Sequence, residues 1–191
     1  MENSPLQRGK AGPSTDLVTL AKNGDPDALG TLYDQHHQAV FRYFRSRVSD
    51  QHVAEDLTGE VFYKMLAGLP GYRLMGFPFR AWLFRIAHNL LVNHYLHESG
   101  NRSVELDDDM APVETILDPA TSIERHISME QARLAMEQLE PSQRHVLALR
   151  FLAGLSLKET AEVIQKTEDA VKALQRRGLA ALRLSLNVTQ E

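Results

Sequence analysis

The sequence predicts an all-α protein of two helical domains joined by a flexible acidic linker, with the C-terminal domain a four-helix unit containing a helix-turn-helix. Three observations predict it. Apolar residues recur at spacings of three and four, while period-two alternation is absent. Residues 99–120, SGNRSVELDDDMAPVETILDPA, break that pattern with three consecutive acids and two prolines, which is linker composition. Ser156 to Leu184 then read as two helices joined by a three-residue turn, with a basic outer face.

Each element has its own signal. Residues 1–24 form an arm rich in Pro, Gly and Ser, with a short helix over 15–23 ending before Gly24. Asp25-Pro26 reads as an N-cap followed by a proline at the first helical position. The helix it opens buries Leu29, Leu32, Tyr33, Val40, Phe41, Phe44 and Val48. Asp50 caps the next, whose Val53, Leu57, Val61, Phe62, Met65 and Leu66 keep helical spacing until Leu69-Pro70-Gly71 breaks it. After an aromatic-rich loop, Pro78 opens a third long helix carrying Phe79, Trp82, Leu83, Ile86, Leu90 and Leu91. These make one domain over 25–98, followed by the linker over 99–121.

The second domain, 122–186, begins with a helix capped by Thr121 and Glu124 and running to about Leu139. Pro141 opens another, which stops at Gly154. Ser156 and Glu159 form an S-x-x-E capping box, Gln165 to Thr167 form the turn, and Thr167 caps the last helix. There Val171, Leu174, Gly178 and Leu182 share the buried stripe, and mid-helix Gly178 permits close packing. Lys172, Gln175, Arg176 and Arg177 lie off the stripe, where a groove-entering helix carries its donors.

Charge is divided rather than uniform. The net charge is −4, yet residues 72–102 carry +3 and 142–184 carry +4, flanking a segment of −8 over 103–141. Attraction to phosphate is local, so two nucleic-acid-facing modules joined by an acidic spacer account for the asymmetry. No cysteine is present, which excludes disulfides and thiolate metal sites and fits a reducing cytoplasm. No apolar run approaches the roughly 18 to 20 residues that cross a bilayer, and MENSPLQRGKAGPSTD lacks a signal-peptide core, so no membrane insertion is expected.

Four segments in order, AEDLTGEVFYKML, FRAWLFRIAHNLLVNHY, LEPSQRHVLALRFLAGLSLKETAEVI and KTEDAVKALQRR, resemble the extracytoplasmic-function (ECF) sigma factors of the sigma-70 family. The resemblance covers 25–98 and 122–184. It implies a non-enzymatic, cytoplasmic subunit without cofactor that binds core RNA polymerase and directs it to promoters. Region 2, the N-terminal domain, then recognises and helps melt the minus-10 element, and region 4, the C-terminal domain, binds the minus-35 element. Promoter DNA, as duplex and as melted strand, and an anti-sigma factor are the further partners it implies.

By resemblance, Glu55, Asp56 and Glu60 grip the polymerase clamp helices. Gly59 stands where the family commonly has glutamine. Capturing unstacked bases takes aromatic platforms, amides and cations. Tyr72, Arg73, Phe77, Phe79 and Trp82 surround the loop before the third helix, with Trp82 on its buried stripe; Arg85, Asn89, Asn93 and His94 follow along it. The family pattern places Asn89 in a pocket for a flipped base and Asn93 and His94 beside it, and Arg73 and Arg80 are phosphate contacts. In region 4, Lys172, Gln175, Arg176 and Arg177 face DNA on the helix capped by Thr167, with Ser156 and Lys158 steadying the backbone. Gln165 replaces a frequent glycine, which glutamine can do where φ stays negative.

Two other readings compete. His94 and His97, with Glu98 adjacent and His88 a turn and a half earlier, suggest a metal site, but no H-E-x-x-H pattern supports it. A stand-alone helix-turn-helix regulator with a ligand-sensing N-terminal domain explains region 4 alone. Such a sensor has no use for loop aromatics followed by Asn89 and Asn93.

Overall fold

The computed structural model describes residues 13–73, 78–98 and 134–188, and every regular element in it is helical. The arm up to residue 12, Phe77, the acidic linker and the helix opening at Thr121, except its end at 134–137, lie outside the described residues.

The N-terminal bundle comprises α1 (Pro13–Lys22), α2 (Pro26–Arg45), α3 (Gln51–Gly68) and α4 (Phe79–Glu98). Local chemistry sets the starts. The Asp25 carboxylate accepts from the Ala28 amide at 3.0 Å, and Asp50 accepts from His52 at 2.7 Å, so each helix begins with an orphan N–H satisfied. A 3₁₀ turn at Leu69–Gly71 ends α3. The core gathers Leu32, Val40, Phe44, Val61, Leu83 and Phe84, each at most 2% exposed. Two expected core positions, Tyr33 and Leu66, are exposed, and Leu29, Phe41, Val53 and Ile86 are only half-buried, whereas Tyr43 is fully buried. The apolar stripe of α2 is rotated so that Tyr43 faces a second unit that no local pattern reveals.

That unit comprises α5 (Pro141–Leu147), α6 (Leu157–Ile164) and α7 (Glu168–Val188). Glu140 caps α5, accepting from the Ser142 and Gln143 amides at 3.0 and 3.1 Å. The helix then widens into a π-helical turn over Ala148–Leu152, which leaves Phe151 58% exposed. Gly154, at φ +67°, reverses the chain. The capping box forms as expected, Ser156 Oγ accepting from Glu159 N at 3.1 Å and Glu159 Oε2 from Ser156 N at 2.6 Å. Gly178 also matches expectation: a Cβ there would stand 3.0 Å from Leu147 Cδ1 and 3.3 Å from Gln143 Cβ, so α7 meets α5 closely only through glycine.

Gln165 corrects an expectation. Its backbone sits at φ +57°, ψ +39°, the left-handed conformation that closes α6, so the turn keeps glycine geometry without glycine. For an L-residue that costs roughly 1 kcal/mol.

The two units are packed together. Ala148, Leu149, Ala153, Leu155 and Val163 of the second join the apolar core of the first. Polar contacts flank this seam: Arg47 donates to the Pro141 carbonyl at 2.7 Å, Arg80 to the Gly154 carbonyl at 3.0 Å, and the Tyr43 hydroxyl and His145 Nε2 are hydrogen-bonded at 3.0 Å.

Candidate nucleic-acid and polymerase interface

On α3, Glu55, Asp56 and Glu60 are all exposed, because Ala54, Leu57, Thr58 and Val61 fix the opposite side in the core. Glu55 accepts from Gln51 Nε2 at 2.8 Å, and Glu60 pairs with Lys64 at 3.3 Å. Asp56 makes no such contact among the described residues, leaving its carboxylate available. Gly59 lies on the same face, and a Cβ there would meet nothing within 4 Å.

On α4, Arg85, Asn89 and Asn93 are exposed and recur every four residues, so they form one polar row along the helix. Leu83, Phe84, Ala87 and Leu91, buried to 1% or less, hold the opposite face. Arg73 is exposed at the loop before the helix, and His94 is half-buried with its ring 5.8 Å from that of Tyr95. Phe79 requires correction as a DNA-facing platform. It is 8% exposed, packed between Tyr72, Trp82 and His36 at centroid distances of 5.9, 5.7 and 5.4 Å. A ring enclosed by three others completes the core. Trp82 is partly buried against the same cluster, as its stripe position predicts. Arg80 points its guanidinium into the seam toward Gly154, and in the packed chain it is engaged there.

On the second unit, Thr167 caps α7 by accepting from the Ala170 amide at 3.2 Å. Lys172 and Arg176 are exposed and line a shallow depression with Leu157, Asp169, Ala173 and Gln175. Lys172 pairs with Asp169 at 3.1 Å. Lys158 and Ser156 are exposed at the start of α6, though the Ser156 hydroxyl already serves the cap. Arg177 is displaced from the expected face: it is half-buried, its Nε is enclosed without a partner, and its charge lies near Glu140 at the start of α5.

Sequence reasoning missed Arg150. Its Nε–H donates to Gln175 Oε1 at 2.9 Å, while its Nη1 donates to the Leu155 carbonyl. Because the arginine is donor-only, the Gln175 oxygen must face it, and the amide nitrogen is left for other acceptors. Arg150 sits within the π-helical turn, and no periodicity marks that widening.

The histidines do not converge. Among the described residues no three His, Cys, Asp or Glu side chains could hold a metal ion. His88 instead packs against His145, with ring centroids 4.7 Å apart and the planes tilted by 45°. Burial, then the charges of Arg47 and Arg85, lower the His88 pKa to about 4. Burial, then Arg47 and His88, also hold His145 well below the usual imidazole range. Among the described residues no helix is long and apolar enough to cross a membrane.

Residues 32–100 match the model of sigma-70 region 2, and residues 135–184 match that of sigma-70 region 4. The chain is 37% identical over 167 residues to the ECF RNA polymerase sigma factor BldN of Streptomyces coelicolor, covering 87% of this chain and 63% of that protein. It is 31% identical to the ECF RNA polymerase sigma factor ShbA of Streptomyces griseus, covering 87% of this chain and 92% of that one. The fold is similar to that of CnrH in complex with the cytosolic domain of CnrY, with TM-score 0.65 and 22% identity over 91% of this chain and 96% of that one. Both matched regions, in their order and over most of the chain, place this protein among the ECF sigma factors of the sigma-70 family, non-enzymatic subunits that direct RNA polymerase to promoters.

Proposed function

We propose a division of labour in which α3 docks on core polymerase, α4 captures the minus-10 element and α7 reads the minus-35 element. The observation that carries it is the segregation of exposed groups. Carboxylates occupy the outer face of α3; cations and amides occupy those of α4 and α7. An acidic surface suits a basic protein partner, and donor-rich rows suit DNA.

Asp56, with its unengaged carboxylate, leads the polymerase contact, flanked by Glu55 and Glu60. Asn89 and Asn93 offer amides to unstacked bases, and Arg73 and Arg85 offer charge to the strand backbone. In the major groove, Arg176 and Gln175 contact base edges and Lys172 contacts phosphate. The bundle bounded by residues 25–98 and the unit bounded by 122–186 are the two working domains, acting in the cytoplasm. An anti-sigma factor is a further partner, as the complex of the sigma factor RpoE with the anti-sigma factor NepR from Bartonella quintana illustrates for that protein.

Reconstituted holoenzyme tests the assignment. Asn89→Ala is expected to impair strand opening, read by permanganate footprinting, more than duplex binding. Arg176→Ala is expected to lose roughly 1–3 kcal/mol at a preferred upstream site. Equal loss of opening and binding contradicts the role of Asn89, and a sequence-independent loss reduces Arg176 to a phosphate contact.

A further inference from the structure

The geometry points to an autoinhibitory latch: the packed seam between the two units holds the chain too short to span a promoter, and Tyr43, His88 and His145 make the latch open in acid. This inference rests on the proposed two-element reading of DNA.

The distances conflict directly. Elements about 25 base pairs apart are separated by about 85 Å at about 3.4 Å per base pair. In the packed chain α4 lies against α6, and α6 lies against α7. Packed helices stand about 8–10 Å apart, so the axes of α4 and α7 are separated by roughly 20 Å. Their outward faces, with Asn89 and Arg176, remain exposed. Either face can meet DNA in the closed chain, but both cannot meet one promoter until the seam parts.

What holds the seam is a shared apolar core with polar contacts that hydration can reach once it opens. Ala148, Leu149 and Leu155 are buried to 1% or less where they meet the first unit. His145, 4% exposed on α5, is hydrogen-bonded to Tyr43 of α2 and packs its ring against His88 of α4. The charges that act on the two rings are basic, Arg47 just after α2 and Arg85 beside His88 on α4, while Arg144 on the helix of His145 faces Glu137 and Glu140 as well as Arg47. His88 Nδ1 is enclosed and unpartnered. An imidazolium in this setting is opposed by burial and by like charge together, so the closed form requires neutral rings.

The sign follows. In the open chain the two rings are hydrated and titrate near the ordinary 6.5; in the closed chain they resist protonation. The open form therefore binds more protons below 6.5, and acid draws the equilibrium toward it. Between pH 7.5 and 6.0 each ring contributes a roughly fourfold change, and the two together a roughly fourteenfold fall in the closed-to-open ratio.

The chain has no native cysteine, so Gln35→Cys and Arg183→Cys, both exposed and outside the proposed contacts, accept a donor and an acceptor dye on the full chain. Single-molecule energy transfer without polymerase or DNA then reads closure alone, so its failure leaves the promoter assignment standing. The expected result is predominantly high transfer at pH 7.5 and a roughly fourteenfold loss of the closed-to-open ratio at pH 6.0, with unchanged helical circular dichroism. Tyr43→Phe, which keeps the packing, is expected to lower the ratio at both pH values. His145→Gln should halve the response on a logarithmic scale, and adding His88→Gln should abolish it. Low transfer at pH 7.5, a ratio indifferent to pH, loss of helix in place of opening, or a full response in the double glutamine variant each overturns the latch.

Discussion

Tyr43 and His145, 102 positions apart in sequence, meet through a buried 3.0 Å hydrogen bond that joins the two sigma regions. Burial keeps the tyrosine hydroxyl protonated, and burial with neighbouring arginine keeps the imidazole neutral, so the pair is an uncharged contact inside a continuous core. Two units sharing one core unfold together. At pH 7.5 the denaturant transition of Trp82 fluorescence, the chain's one tryptophan and a reporter of the first unit alone, is expected to coincide with that of far-ultraviolet circular dichroism. Separate midpoints contradict a shared core.

Gly178 is expected to be intolerant of even one methyl group. Gly178→Ala places a Cβ at 3.0–3.3 Å from Leu147 and Gln143, where α7 crosses α5. Overpacking of this kind costs roughly 1–3 kcal/mol, opposed by the helix preference of alanine. Equilibrium denaturation should show a net loss, with a matching decline in minus-35 binding as α7 shifts on its support.

Two positions should respond the other way. Gln165→Gly removes the left-handed strain at φ +57° and is expected to stabilise the chain by about 1 kcal/mol. Gly59→Ala adds a methyl group where nothing lies within 4 Å, and mid-helix alanine is favoured by about 1 kcal/mol. Each is expected to raise the thermal midpoint by roughly 2–4 °C, and scanning calorimetry measures it. A lower midpoint for Gln165→Gly contradicts the turn geometry.

Acid is expected to destabilise the first unit through His36. Burial first, and the charge of Arg80 second, bring its pKa from 6.5 to about 4. Between those values the unfolded chain binds a proton that the folded chain does not, so stability present above pH 6.5 is lost as the pH falls toward 4. His88 and His145 add slope of the same sign. His36→Gln is expected to flatten the stability profile over that window, read by urea denaturation at a series of pH values. An unchanged slope contradicts the burial of the ring.

The parts of the fold legible in sequence are those decided by chemistry within a turn of the chain. Asp25, Asp50, Thr167 and the Ser156–Glu159 pair announce helix starts because a side chain and an orphan amide two or three residues apart suffice. The polar rows of α3, α4 and α7 were legible for a similar reason, since period alone assigns a face. Phe79 and Arg177 escaped because their partners, Tyr72, His36 and the start of α5, are tertiary. The π-helical turn escaped because widening by one residue leaves the apolar pattern of Val146, Leu147 and Leu149 intact. The seam was the largest omission. An acidic linker suggests separated modules, while the residues that join them, Tyr43 and His145 among them, resemble ordinary core.

Gel filtration of the purified chain with core RNA polymerase, followed by transcription from a cognate promoter, tests promoter direction most directly. Co-elution with core and initiation at one defined position are predicted, with Asp56→Ala weakening the first and Asn89→Ala the second. A chain that ignores core polymerase yet binds one intact duplex operator tightly by itself contradicts the account.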